Sequence, residues 1–107
     1  MTSFKALSER AAEIRALYSE YEKSLYGRPW TDEEIALAFV GDVGDLTKLV
    51  QAKNGVRNIP DFEAKLAHEL ADCLWSICTL ASVYKIDLEE AFARTMDEIE
   101  QSVQSKL

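Results

Sequence analysis

From Ala67 to Tyr84 the chain reads A-H-E-L-A-D-C-L-W-S-I-C-T-L-A-S-V-Y. Leu66, Leu70, Cys73, Ile77 and Leu80 step by threes and fours, the helical repeat, and Ala67, Ala71, Leu74, Cys78 and Ala81 make an adjoining stripe. A helix apolar on two adjoining faces requires cover on both. One narrow polar stripe remains, formed by Lys65, Glu69, Asp72, Ser76 and Thr79. Glu69 and Asp72 are three residues apart and share one side of that helix. Carboxylates drawn into an apolar setting without a partner are costly. A divalent cation is the compensating partner that suits them.

The rest of the chain is compatible with such a core. At 107 residues and 48% hydrophobic content, the length suits one domain, residues 1–107, with enough apolar surface to bury a core. The formal net charge of -7 argues against a general nucleic-acid backbone binder, which needs a basic face. No apolar run has the length of a membrane span, and the opening M-T-S-F-K-A-L-S-E-R lacks the apolar centre of a secretory signal. The expectation is a cytoplasmic protein with neither nucleic acid nor membrane as partner. Cys73 and Cys78, five apart on one helix, point to different faces and read as small core residues in a reducing compartment. His68 is the only histidine, so no Cys/His zinc spacing exists.

Four helices follow from periodicity and caps. Phe4, Leu7, Ala11, Ile14, Tyr18, Tyr21 and Leu25 form a seam over residues 4–26, with Ser3 as N-cap. Gly27-Arg28-Pro29-Trp30 ends it. Thr31 and Glu34 form a capping box for a second helix running to Lys53, with Ile35, Phe39, Val43, Leu46 and Leu49 on its apolar stripe. Asp42 and Asp45 lie beside that stripe. Gly41 and Gly44 weaken this helix and would permit close approach of a facing helix or a ligand. Asn54-Gly55 stops it, Asp61 is placed to cap the third helix, and Asp87 with Glu90 is placed as the capping box of the fourth. Leu88, Phe92, Met96, Ile99 and Val103 give the fourth helix one apolar face. No strand pattern or repeat occurs, and the expected class is all-α.

A short loop joins helices two and three, so they should pack antiparallel. Asp42-x-x-Asp45 on one then faces Glu69-x-x-Asp72 on the other. Four converging carboxylates repel and raise one another's pKa unless cations join them. With Mg²⁺, or Mn²⁺ in its place, they become a hard-oxygen site suited to cleaving a phosphoanhydride. Each acidic pair alone also fits a solvated helix face. Lys48, Lys53, Arg57 and Lys65 could contact phosphates, and Trp30, Phe39 or Trp75 could stack on a base. The competing readings are surface pairing for the cations and core packing for the rings. His68 lies about 100° around the helix from Glu69 and is read as a surface residue.

Three runs carry a family resemblance: V-G-D-V-G-D-L (40–46), H-E-L-A-D-C-L-W (68–75) and I-D-L-E-E-A-F (86–92). Together they resemble the MazG-like branch of the all-α NTP pyrophosphatase superfamily, over a core region of residues 30–100. The resemblance implies a four-helix MazG-like bundle and hydrolysis of a nucleoside triphosphate to monophosphate and pyrophosphate, with a role in clearing unwanted nucleotides. It implies Mg²⁺ held by Asp42, Asp45, Glu69 and Asp72, and a homodimer or homotetramer. It places Asp42 and Asp45 where the family has glutamates, each one methylene longer. Gly41 stands where relatives often carry a further glutamate, and Arg94 is the nearest basic residue of the last helix. These departures leave a second reading, a helical oligomer that binds a nucleotide or protein partner without hydrolysis.

Overall fold

A computed structural model describes residues 3–107, and among them only helices and turns occur. The all-α class and four helices expected from the sequence are what the chain adopts. They are α1 (Phe4–Tyr26), α2 (Asp32–Lys53), α3 (Phe62–Val83) and α4 (Leu88–Gln104). No helix among the described residues is long and apolar enough to cross a membrane.

Local chemistry sets most of the boundaries. Ser3 Oγ accepts from the Ala6 amide at 3.1 Å and starts α1, while Gly27, at φ 81°, ends it. Thr31 and Glu34 exchange bonds, so the capping box of α2 is complete. α2 stops in a Schellman turn: Gly55 is left-handed, and the Val56 amide reaches the Gln51 carbonyl at 2.9 Å. Two caps differ from expectation. Asp61 occupies the N-cap position of α3 in the left-handed region, at φ 56°, and its carboxylate accepts no capping bond. At α4, Asp87 accepts from the Glu90 amide, but Glu90 turns its side chain to Arg94 at 2.6 Å rather than back to the cap.

The end of α3 repeats the Schellman pattern with an unsuited residue. The Ile86 amide donates to the Ala81 carbonyl at 2.8 Å, and Lys85 takes the left-handed position at φ 57°. A side chain costs about 1 kcal/mol there, which glycine avoids. Lys85→Gly is therefore expected to stabilise the protein by about 0.5 kcal/mol, net of glycine's greater unfolded-state entropy. A higher denaturant midpoint at unchanged slope would record it. A lower midpoint would mean that the lysine makes a compensating contact.

α3 is the centre. α2 packs along one side of it and α1 along another. Ile35, Leu49 and Ala52 of α2 and Cys73, Cys78 and Ala81 of α3 are buried between the layers, and both cysteines are free thiols. Trp75 ties α1 to α3: its indole N–H donates to the Ala11 carbonyl at 3.1 Å, and its ring meets Tyr18 edge-on at 5.5 Å. Within α1 the buried residue is an acid, Glu22, rather than a member of the apolar seam. Arg15 grips Glu22 with both guanidinium nitrogens at 2.6 and 3.1 Å, and the Trp30 amide donates to the same carboxylate at 2.7 Å. This fastens α1 to the connection that leads into α2.

The orientation of α3 differs from its apolar reading. Its polar stripe faces α2, with Thr79 buried and Glu69, Asp72 and Ser76 half-buried, while Leu70, Leu74 and Ile77 remain exposed. The acids are thus placed between helices and an apolar stripe is left uncovered.

Candidate metal centre

Asp42, Glu69 and Asp72 each bring a carboxylate oxygen to within 4.8 Å of the others. Asp42 comes from α2, and the other two come from successive turns of α3. Asp42 lies seven residues from both Ile35 and Leu49, which are buried. That spacing returns the helix to nearly the same angle and puts Asp42 on the inward side of α2. All three acids are half-buried. Oε1 of Glu69 is shut off from solvent and has no hydrogen-bond partner among the described residues.

The electrostatics follow from this crowding. Burial pushes the Asp42 carboxyl above its usual range, and the charges of Asp72 and Asp45 push it further. Burial, then Asp42, Asp72 and Asp45, act the same way on Glu69. Cys73 stands behind the acids; burial raises its thiol, and the three carboxylates add to the effect. The group holds more negative charge than its surroundings compensate, as a cation site does before loading. Oxygen-only donors suit Mg²⁺ or Mn²⁺ rather than a soft metal.

The remaining candidates are arranged differently. Asp45 is exposed and outside the tight group of three, although its charge reaches Asp42 and Glu69. Gly41 and Gly44 do not serve a close approach of α3: a Cβ built on either meets nothing within 4 Å. Lys53 pairs with Glu63 at 3.0 Å across the α2–α3 turn, and Arg57 donates to Gln51. Both are occupied in holding that turn. Lys48 and Lys65 are exposed and have no ion-pair partner among the described residues. Trp75, expected as a base contact, is engaged with α1 through Ala11 and Tyr18.

His68, read from the sequence as a surface residue, is on the surface and also near the acids. Its Nε2 lies 3.9 Å from Asp72 Oδ2, one helical turn away, and the ring is largely exposed. The comparison with Glu69, the adjacent residue, concealed this; the i,i+4 relation to Asp72 was the available signal.

The family model for the MazG nucleotide pyrophosphohydrolase domain matches residues 31–103. The chain belongs to this family. Comparison with curated proteins and with solved structures gives no match. The MazG span opens at Thr31, the N-cap of α2, and runs nearly to the end of α4. It contains Asp42, Asp45, Glu69 and Asp72 and leaves α1 outside. The match thus takes in the acid-bearing α2–α3 pair and α4; α1 precedes it and is held to the rest by Trp75 and Glu22.

Proposed function

We propose that this MazG-family chain is a Mg²⁺-dependent nucleoside triphosphate pyrophosphohydrolase that cleaves the bond between the α and β phosphates. The observation that carries the reading is the buried, partnerless Glu69 Oε1 among three carboxylates of two helices. Asp42, Glu69 and Asp72 hold the cation in this proposal. Asp45, beside them on the exposed side, completes the set and orients the attacking water. Bound Mg²⁺ supplies neutralisation of phosphate charge and acidification of that water. Water adds to the α or β phosphorus, the bridging P–O bond breaks, and nucleoside monophosphate and pyrophosphate leave. Lys48 and Lys65, which have no ion-pair partner among the described residues, are the cations available to the phosphates. Lys53 and Arg57 would first have to leave Glu63 and Gln51. Trp75 is not assigned a substrate contact, because α1 already uses it.

The exposed position of Asp45 and its short side chain favour the second reading, a nucleotide-binding protein without turnover. Product analysis separates the two. Purified protein is incubated with a panel of NTPs and dNTPs and with Mg²⁺ or Mn²⁺, with Asp72→Asn alongside. Monophosphate plus pyrophosphate from the wild type, and a loss of at least about 100-fold in Asp72→Asn, is the expected result. Diphosphate plus orthophosphate would overturn the cleavage position. Metal-dependent nucleotide binding without any product would establish the second reading.

A further inference from the structure

One kind of donor stands beside the three acids without belonging to their group. His68 Nε2 lies 3.9 Å from Asp72 Oδ2, across one turn of α3. The His68 side chain is 77% exposed, against 34% for Asp72, so the imidazole sits on the solvent side of the acid. Among the described residues Asp72 is the only charged group it pairs with. The reaction assigned to the acids makes no use of it.

The spacing makes His68 a ligand position. Side chains at i and i+4 of a helix lie on one face, one above the other. His68-Glu69-Leu70-Ala71-Asp72 has the spacing of H-E-x-x-H, in which the residues at i and i+4 hold one ion between them. Here a carboxylate takes the second ligand place. Two donors bound to one ion at about 2.1 Å stand roughly 3–4 Å apart. The observed 3.9 Å falls within that range, so α3 need not change for the pair to share an ion. The residue between them in role is Glu69, whose enclosed Oε1 lacks a partner.

A nitrogen donor changes which ion is favoured. Carboxylates and water suit Mg²⁺, which dehydrates reluctantly and gains little from an imidazole. Imidazole suits Ni²⁺ and Zn²⁺. The acids alone are an oxygen-only site, and the acids with His68 are a mixed one.

We infer that His68 and Asp72 ligate one ion together, so that a nitrogen donor joins the acids and sets the metal preference of the centre toward ions of the Ni²⁺ and Zn²⁺ kind. The inference rests on the acids being a metal site and not on which bond is cleaved. It divides the work between two sets of side chains. Asp42 and Glu69 supply the charge that holds any divalent ion, Mg²⁺ included. His68 adds affinity only for ions that accept nitrogen.

Calorimetric titration of the full chain, carrying no histidine tag, with Mg²⁺ and with Ni²⁺ tests it. His68→Gln removes the donor from an exposed position and leaves the helix its length and charge. This variant is expected to lose Ni²⁺ affinity by about tenfold or more and Mg²⁺ affinity by less than about twofold. A merely structural role would move both ions together. Asp72→Asn is expected to weaken both ions. A second readout follows from His68 being the only histidine, which gives the protein a single set of imidazole proton signals. One equivalent of Zn²⁺ is expected to shift them in the wild type, and Mg²⁺ to leave them in place. Equal losses for the two ions in His68→Gln, an unchanged Ni²⁺ affinity, or imidazole signals unmoved by Zn²⁺ would each overturn the inference while leaving the acids their Mg²⁺. Ni²⁺ binding that survives Asp72→Asn would reduce His68 to a lone surface imidazole and overturn it as well. A wild type that binds neither ion would remove the metal centre itself, and this inference with it.

Discussion

Asp42→Asn is expected to make the metal-free protein more stable than the wild type and to abolish its response to Mg²⁺. The substitution removes one of three carboxylates that share a half-buried space and keeps the shape of the side chain. Relief of the like-charge repulsion should be worth about 1 kcal/mol, or a rise of roughly 4–8 °C in melting temperature. In the wild type, Mg²⁺ at a hundredfold excess over Kd should add about 2.7 kcal/mol; in the variant it should add little. Glu69→Gln is expected to behave in the same way. Melting curves with and without Mg²⁺ decide it. A variant that melts below the metal-free wild type, or still responds fully to Mg²⁺, would remove Asp42 from the site.

The pH dependence has a fixed sign. Asp42 and Glu69 have folded-state pKa values above their unfolded ones. Their stabilising contribution is fully present below the unfolded carboxylate range, near pH 4, and is lost as pH rises through the folded values. Metal-free protein should therefore gain stability as pH falls from neutrality toward the unfolded carboxylate range. Glu34 acts oppositely: its hydrogen bond with Arg28, aided by Thr31, holds it at about 2. Its contribution is lost only as pH falls from the unfolded glutamate value, near 4.3, toward 2, so it leaves the higher window untouched. Saturating Mg²⁺ should reverse the slope, because protons then compete with the metal for the same oxygens.

Glu22→Ala is expected to be the most destabilising single change in α1. Glu22 is 3% exposed and satisfies both the Arg15 guanidinium and the Trp30 amide. Removing one partner of a buried ion pair typically costs 3–5 kcal/mol, through the charge left behind. Arg15 retains some access to water, which places the loss near the lower limit, about 3 kcal/mol. Glu22→Gln keeps an acceptor for the Trp30 amide and should lose less. Denaturant unfolding of the two variants measures the difference. A loss below about 1 kcal/mol for Glu22→Ala would show that Arg15 finds another partner or reaches solvent.

What was legible in the sequence was what is decided within a few residues. Ser3, Thr31 with Glu34, and Gly27 act through bonds to their own helix ends, and each stands where its residue type says. Asp42 was legible in part, through its heptad relation to Ile35 and Leu49. Glu22 was not, because nothing beside it in the sequence marks it and its value lies in Arg15, two turns back, and in the chain beyond Pro29. Asp61 fails as a cap because its left-handed backbone accompanies a carboxylate that accepts no amide of the first turn. The orientation of α3 was the largest difference. Apolar content reports how much of a helix needs cover, but not whether that cover comes from its own chain.

The seam between Trp75 and α1 also gives the molecule an internal optical reporter. The chain has two tryptophans, and Trp75 alone spans 64 residues of sequence to bond Ala11. When α1 lifts away, the indole loses that acceptor and the edge of Tyr18, and its emission moves toward that of a hydrated ring. Helicity measured at the same time would still register α2 and α3. Detachment of α1 can therefore be watched separately from collapse of the acid-bearing pair, with no label attached.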